Sequence, residues 1–260
     1  MLPVLFISHG SPALPLETDA PAHTFLRGLL EGLQPRAILV LSAHWEQEQP
    51  TLTAAPRHSA IHDFYGFPQA LYELVYNPPG APDAARRAAT LLDKAGMAAA
   101  LDVQRGLDHG AWSPLLLAVP KADIPVVQIS LLAGLDASIH LALGRTLAPL
   151  REEGVLILGS GGAVHNLRAL DWGNFASVQT APWAAEFQSW LDSTMAMTGE
   201  IRSARLASWL EAPGARQAHP RAEHLLPLHV AVGAAEGERA LKIHDTWQMA
   251  NMSMAAWRLG

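Results

Sequence analysis

Four short apolar segments are the feature that most restricts how this chain can fold. They span residues 3–10, 36–46, 124–131 and 154–162, and each is rich in Val, Ile and Leu without alternating apolar and polar positions. This pattern is typical of strands that are buried on both faces. Segments with helical character lie between and after them, at residues 22–33, 82–96, 136–153, 183–197 and 219–236.

Strands that alternate with helices predict an α/β fold. We expect a single domain, residues 1–260, in which a central, largely parallel or mixed sheet is flanked by helices on both faces. Ligands bind at the carboxyl ends of the strands in such sheets, so we expect the active site there. Residues 51–79 interrupt the alternation and are rich in proline, histidine and aromatic residues, which predicts a long ordered loop.

The composition excludes several classes of function. The chain has no cysteine, which excludes disulfide bonds, cysteine-based zinc sites and thiol nucleophiles. Its net charge is −6 and it has no run of lysine or arginine, so no nucleic-acid partner is predicted. No apolar stretch reaches the roughly 18 residues of a membrane span, and the first residues lack the basic start of a signal peptide. We therefore expect a soluble, cytoplasmic protein with no membrane partner.

The chain has 12 histidines beside only 18 lysines and arginines. Their placement is informative because histidine is the commonest metal ligand. Three of the four apolar segments lead into a histidine, namely His9, His44 and His165. If these strands are parallel, the three side chains lie at one edge of the sheet, as a metal site requires. A hydrogen-bonded structural role is the alternative for any single histidine.

Two other histidine contexts are candidates for the same edge. His109 follows Asp108 in a turn, and Glu223 and His224 fall in the first turn of a predicted helix. His229 comes five positions after His224, so it is expected on another helical face and in a structural role. Structural or exposed positions are expected for the histidines without polar neighbours of interest, His23, His140 and His244.

The glycines after the fourth apolar segment raise the alternative of a nucleotide site. Gly159 and Gly161 fit the first two positions of the dinucleotide fingerprint, but Val164 stands at the third and no acidic residue follows about 20 positions later. The Walker A pattern, the G-x-S-x-G elbow and the H-E-x-x-H pair are also absent. We therefore expect these glycines to allow a close backbone approach or a positive φ, and to leave space beside a bound substrate.

Motifs along nearly the whole chain match one known family: FISHGSP, SAHWE, HDFYGFP, GLDHGAWSPL, PVVQISL, LGSGGAVHNLR, HPRAEHLLPL and MSMAAWRLG. The chain resembles the DODA-type (4,5-DOPA dioxygenase-like) branch of the class III extradiol ring-cleavage dioxygenases, in the LigB-like superfamily. The resemblance implies an oxidoreductase that opens the aromatic ring of a catechol, DOPA-like or a related small phenolic, with O2. It implies non-haem Fe(II) as the catalytic metal, and Zn(II) is a second ion that such histidines bind well.

The resemblance also implies roles for individual residues. His9 and His44 correspond to metal ligands, and the third ligand is His224, with Glu223 as the alternative. A facial set of three ligands on octahedral Fe(II) leaves three positions for the catechol and O2. His165 corresponds to the active-site base, with a fourth-ligand role on zinc as the alternative.

The remaining implied roles concern the substrate. His109 corresponds to a second acid/base or to a substrate-positioning residue. Pocket walls are mostly apolar, so the aromatic loop is expected to wall a flat substrate through Phe64 and Tyr65, together with Phe67 and Tyr72. Core packing is the alternative for these aromatic residues.

Two alternatives from other functional classes stay open at this point. One is a zinc-dependent hydrolase that uses the same histidines, with His165 activating a metal-bound water. The other is a non-enzymatic interaction protein, a role suggested for Memo-like relatives in the same superfamily. The full set of histidines argues against the second alternative.

Overall fold

The fold is described by a computed structural model that covers residues 1–260. It contains ten strands and nine α-helices. The strands are β1 Val4–Ser8, β2 Ala37–Gln47, β3 Thr51–Thr53, β4 Ala100–Asp102, β5 Val126–Leu132, β6 Val155–Gly161, β7 Ala240–His244, β8 Trp247–Gln248, β9 Met252–Ser253 and β10 Ala256–Leu259. The helices are α1 Pro21–Arg27, α2 Gln69–Tyr72, α3 Pro82–Lys94, α4 His109–Ala118, α5 Ala137–Leu147, α6 Pro182–Met195, α7 Gly199–Ala207, α8 Ala215–Ala218 and α9 Leu226–Ala234.

An eight-stranded sheet forms the centre of the fold, with the strand order β4-β3-β5-β2-β6-β1-β10-β7. The four strands predicted from the apolar segments lie side by side in it as β5, β2, β6 and β1, and all four are parallel. Antiparallel strands β10 and β7 extend the sheet beyond β1, and β3 pairs antiparallel with β5. The predicted mixed sheet is therefore confirmed.

Alternate residues of the central strands point into two separate cores. Val4 and Phe6 belong to the core that α3, α5 and α9 cover, whereas Leu5 and Ile7 belong to the core that α1 and α4 cover. Each fully buried Leu or Phe side chain stabilises the fold by about 1.5–3 kcal/mol. Burial on both faces explains why these segments are continuously apolar, and it confirms the predicted helices on both sides of the sheet.

The segment predicted as one helix over residues 219–236 is helical mainly in its second half. Pro220 disfavours helical geometry in the residue before it, and residues 220–225 form turns and bends. Helix α9 begins only at Leu226, with a proline in its first turn, where a missing N–H is tolerated. His224 therefore lies in the turn before α9, and the prediction that it lies in the first turn of the helix is wrong.

Two further observations concern local structure. Asp136 caps the N-terminus of α5, because its carboxylate accepts the backbone N–H of Ile139 at 2.8 Å. Residues 51–79 are not one continuous loop, since β3 joins the sheet at their start and α2 forms one helical turn within them. None of the helices has the length and apolar character needed to cross a membrane.

Candidate active site

The central parallel strands bring the predicted histidines to their carboxyl ends. His9 directly follows β1, and its backbone N–H extends the pairing with β6 by donating to the carbonyl of Gly161 at 3.0 Å. His165 lies four residues beyond the end of β6. Both positions agree with the expectation that strand ends place histidines at one edge of the sheet.

His44 was expected at the end of its strand but lies within β2, which continues to Gln47. The register of β2 against β5 shifts between Leu41 and Glu46. Regular pairing is thus interrupted around His44 while the backbone remains extended. Such irregularities in a strand change the direction of a side chain and are frequent beside active sites.

His9, His44 and His224 converge at this edge. Nε2 of His9 and Nε2 of His44 are 3.1 Å apart, and one ring nitrogen of each of the three residues lies within 4.8 Å of the others. Nε2 of His224 is buried and has no hydrogen-bond partner. A buried polar atom is rarely left without a partner, so the arrangement fits a metal ion that imidazole nitrogens bind well.

Hydrogen bonds on the far side of two of these rings leave the Nε2 atoms free. Nδ1 of His9 lies 3.1 Å from Oγ of Ser160, and that hydroxyl donates to the carbonyl of Gly110, so the ring is the donor to Ser160. Nδ1 of His224 donates to Oε1 of Glu223 at 3.0 Å. Partners of this kind fix the tautomer and the orientation of metal-binding histidines.

Glu223 lies beside the three-histidine group and not within it. One carboxylate oxygen of Glu223 lies within 4.8 Å of a ring nitrogen of His165 and of His224. The Oε2 atom of Glu223 is 3.5 Å from the Arg221 guanidinium. Burial raises the pKa of Glu223 above its ordinary value although Arg221 acts in the opposite direction. The geometry therefore favours His224 over Glu223 as the partner of the two strand-end histidines.

Burial keeps the three clustered rings neutral. Desolvation lowers the pKa of His9 and that of His224 well below the ordinary value, and neighbouring histidines lower both further. The pKa of His44 is lowered to about 3, first by burial and then by the proximity of His109. The neutral imidazole is the form that binds a metal ion.

His165 stacks on His224, with ring centroids 3.4 Å apart and ring planes inclined by 9°. Burial, and after it the proximity of His109, lowers the pKa of His165 to about 4. The ring is therefore neutral near physiological pH and has a nitrogen able to accept a proton.

His109 opens α4 and has a carboxylate partner that the sequence reasoning missed, Asp63. The backbone N–H and Nδ1 of His109 both donate to Oδ1 of Asp63, at 2.9 and 3.0 Å. Nε2 is then the acceptor nitrogen of this ring. Burial acts to raise the pKa of Asp63, but the hydrogen bonds from His109 and its proximity outweigh it and lower that pKa. One sequence feature could have indicated this role: Asp63 is the only residue with a carboxylate side chain among residues 51–72.

The glycines near the site make room for the backbone around the start of α9, and not for a substrate. A Cβ at Gly161 would lie 2.1 Å from the carbonyl oxygen of His224, and one at Gly159 would lie 2.4 Å from that of Pro227. The N–H of Gly162 donates to the same His224 carbonyl at 2.8 Å. The expected close backbone approach is confirmed, whereas the expected space for substrate is wrong, because the turn before α9 fills it.

A cavity of about 420 Å³ is lined by the three clustered histidines together with His165 and His109. Its size falls in the range of about 300–1,000 Å³ that is common for small-molecule sites. Phe64 and Tyr65 line the cavity, and Tyr65 is 92% exposed, so it stands at the mouth. Tyr72 does not line the cavity but packs against Phe64, with ring centroids 5.3 Å apart.

Two further exposed residues of the lining were not predicted from the sequence. Leu167 and Trp172, in the irregular segment after β6, line the cavity and are 50% and 59% exposed. The indole N–H of Trp172 donates to the carbonyl of Leu167 at 3.1 Å, which ties the two together. No periodicity in this segment pointed to them.

Other histidines have partners outside the cavity. Nδ1 of the buried His140 lies 2.7 Å from the carbonyl of Asp136, and Nε2 of the buried His229 lies 3.0 Å from that of Leu206. His244 stacks on the ring of Phe25 at 4.4 Å between centroids. These positions agree with the structural roles expected for them.

Comparison with known proteins gives the family of the chain. The family described as the catalytic LigB subunit of aromatic ring-opening dioxygenase matches residues 3–260. The chain is 43% identical to the 4,5-DOPA dioxygenase extradiol of Beta vulgaris, over 97% of this chain and 94% of the relative. It is 37% identical to the protein of that name from Escherichia coli strain K12, over 100% of this chain and 95% of the relative.

A solved structure is also similar over its whole length. The crystal structure of the Escherichia coli K12 protein JW3007 matches with a TM-score of 0.84 and 32% sequence identity, covering 100% of both chains. The resemblance predicted from the sequence motifs is confirmed by these findings. The chain therefore belongs to the LigB family and is an extradiol ring-opening dioxygenase, a metal-dependent oxidoreductase that uses O2 and a small-molecule substrate.

Proposed function

We propose that this enzyme opens the ring of a catechol, DOPA or a related small phenolic, and that its catalytic metal is Fe(II). The observation that carries the proposal is the convergence of three neutral imidazoles, from His9, His44 and His224, in a cavity of suitable size. These three residues would hold the metal ion. When bound, Fe(II) would supply the coordination of catechol oxygens and the electrons for reaction with O2.

The protein's own groups would manage the protons. His165 is neutral and lies beside the proposed ligand His224, so it is placed to accept a proton from a catechol hydroxyl. His109, oriented by Asp63, presents a second acceptor nitrogen to the same cavity. We assign it to substrate positioning or to a second proton transfer. Phe64 and Tyr65 would cover the flat ring and keep water away from it.

The proposal is tested by anaerobic reconstitution with Fe(II), followed by air and a panel of catechols. A yellow ring-opened semialdehyde with stoichiometric uptake of O2 is the expected result. Absence of product from every catechol, with Fe(II) bound, would refute it. The metal found after purification does not decide the matter, because Zn(II) binds such sites more tightly than Fe(II) and has no redox chemistry.

A further inference from the structure

We propose that Asp108 is a positioning residue, which fixes the separation between two residues of the cavity, the proposed metal ligand His44 and His109. The inference rests on the proposed function, because the roles of both histidines belong to it. Asp108 is fully buried and does not line the cavity. Its carboxylate therefore acts on the site through other residues and touches no substrate.

Asp108 does not use its carboxylate as its position in the chain would predict. It stands directly before α4, where an aspartate commonly caps the helix, but it makes no capping hydrogen bond. Asp63 accepts the N–H of His109 at the start of the helix. The Asp108 carboxylate instead accepts from Ser42 of β2 and from Gln128 of β5. An aspartate that forgoes the capping bond indicates that its contacts with the two strands have the larger effect.

Ser42 connects Asp108 to the proposed metal ligand. The Ser42 hydroxyl donates to Oδ1 of Asp108 at 2.6 Å and accepts the backbone N–H of His44 at 3.2 Å. The direction is fixed because a carboxylate accepts and does not donate. The pairing of β2 with β5 is irregular around His44, so this hydroxyl supports the backbone where regular pairing is interrupted. Asp108 thus reaches His44 through a single side chain.

Two further groups hold the carboxylate in place. The side-chain amide of Gln128 donates to Oδ2 of Asp108 and accepts the Asp108 backbone N–H at 3.3 Å. The guanidinium of Arg105 lies 3.4 Å from the same Oδ2, and its carbon lies 4.5 Å from the ring centroid of Trp45 in β2. Burial raises the pKa of Asp108, and the hydrogen bonds that it accepts oppose that change. Three donors therefore compensate the buried carboxylate.

The two histidines depend on Asp108 from opposite sides. His109 is the next residue along the chain, whereas His44 is reached through the Ser42 hydroxyl. The two rings lie only 3.9 Å apart between centroids, so a small shift of α4 against β2 would move His109 relative to a metal ion at His44. Misplacing a group in an active site by about 1 Å can cost about 100-fold in rate. Loss of the Asp108 contacts should therefore change metal binding and turnover as well as stability.

A pair of variants tests the role of the carboxylate. Asp108→Asn keeps the shape and can still accept from Ser42, but its NH2 group then faces the NH2 group of Gln128. Combining it with Gln128→Glu moves the carboxylate to the other partner and restores a donor opposite an acceptor. We expect Asp108→Asn to bind Zn(II) about tenfold more weakly in competition with a chelator. With Fe(II) and the best catechol of the panel, kcat should fall by at least about tenfold. The double variant should return both quantities to near their parental values.

Two measurements separate positioning from a general loss of stability. The visible spectrum of the Co(II) form reports the geometry of the ligands, so it should change in Asp108→Asn and return in the double variant. Thr194→Val is the matched control, because Thr194 is buried and bonded to Trp190 and Arg205 on helices outside the cavity. This control should lower the melting temperature and leave the Zn(II) affinity and kcat at their parental values.

The outcomes that would overturn the inference are distinct from those that bear on the proposed function. Parental affinity and kcat in Asp108→Asn, no recovery in the double variant, or equal losses in Thr194→Val would overturn it. If Asp108→Asn does not fold, Ser42→Ala removes only the link to His44 and should show the same loss of Zn(II) affinity; parental affinity there would refute the inference. If the parental Fe(II) enzyme cleaves no catechol, the proposed function fails, and the Zn(II) affinities and Co(II) spectra still decide the inference.

Discussion

Replacing Gly110 by alanine tests whether the histidine cluster is held by close packing. Gly110 is the second residue of α4, and its carbonyl accepts from Ser160. A Cβ at this position would lie 2.4 Å from Oγ of Ser42, 2.9 Å from Cδ2 of His44 and 3.2 Å from Cε1 of His9. The added methyl group would thus meet two proposed metal ligands and the hydroxyl that donates to Asp108.

Two opposing effects decide the outcome. Helix propensity alone favours alanine over glycine by up to about 1 kcal/mol, so a helix-based argument predicts a more stable protein. Overpacking a well-filled site costs about 1–3 kcal/mol, and the distance to Ser42 is far below van der Waals contact. We expect the cost of overpacking to outweigh the gain in helix propensity. The rings of His9 and His44 must shift, and metal affinity should fall by about 10- to 100-fold.

The assay is competition of the protein with a chelator for Zn(II), together with the melting temperature of the metal-free form. Gly237→Ala is the matched control, because a Cβ at this exposed position meets nothing within 4 Å. The control should retain parental affinity. Parental affinity and an unchanged or raised melting temperature in Gly110→Ala would refute the reasoning.

The site and the core give three further predictions. His165→Ala should retain the metal ion and lose turnover, measured by metal analysis beside O2 uptake; loss of the metal would make His165 a ligand. Glu223→Gln should weaken metal binding by about 10- to 100-fold, because the carboxylate orients His224; chelator competition checks this against exposed Glu48→Gln, and parental affinity would contradict it. Burial lowers the pKa of His140 to about 4, so the unfolded chain, with a pKa of about 6.5, takes up the proton first as pH falls. Urea titrations of the metal-free protein should show that the free energy of unfolding falls between about pH 6.5 and 4, with His140 contributing up to about 1.4 kcal/mol per pH unit. A free energy of unfolding that does not change over this range would exclude the contribution of His140.

The central sheet was predictable from the sequence because its strands are buried on both faces. Segments such as VLFIS in β1 carry that burial as uninterrupted apolar residues. The antiparallel strands β7 and β10 were not predicted. β7 is only partly buried, with the mixed sequence ALKIH, and β10 has an exposed arginine among its four residues. β10 depends on pairing with β1, which is remote in sequence, and the edge strand β7 pairs only with β10.

The same distinction applies to the site. His9 and His165 were predictable because they follow buried strands, and strand ends lie together in parallel sheets. Asp63 and Trp172 come from irregular segments, where no periodicity indicates which way a side chain points. Their contacts with the cavity are set by tertiary packing alone.

The first strand along the chain, β1, depends for its pairing on the last strand, β10. β1 pairs antiparallel with β10, with Val4 opposite Leu259, so one side of β1 has unpaired backbone N–H and C=O groups until residue 259 has been synthesised. Unpaired edges of this kind invite association with other chains. The proposed metal ligands also include His224, so the site cannot be complete before this late part of the chain has been synthesised. During synthesis, metal uptake should therefore mark a late stage of folding and not its beginning.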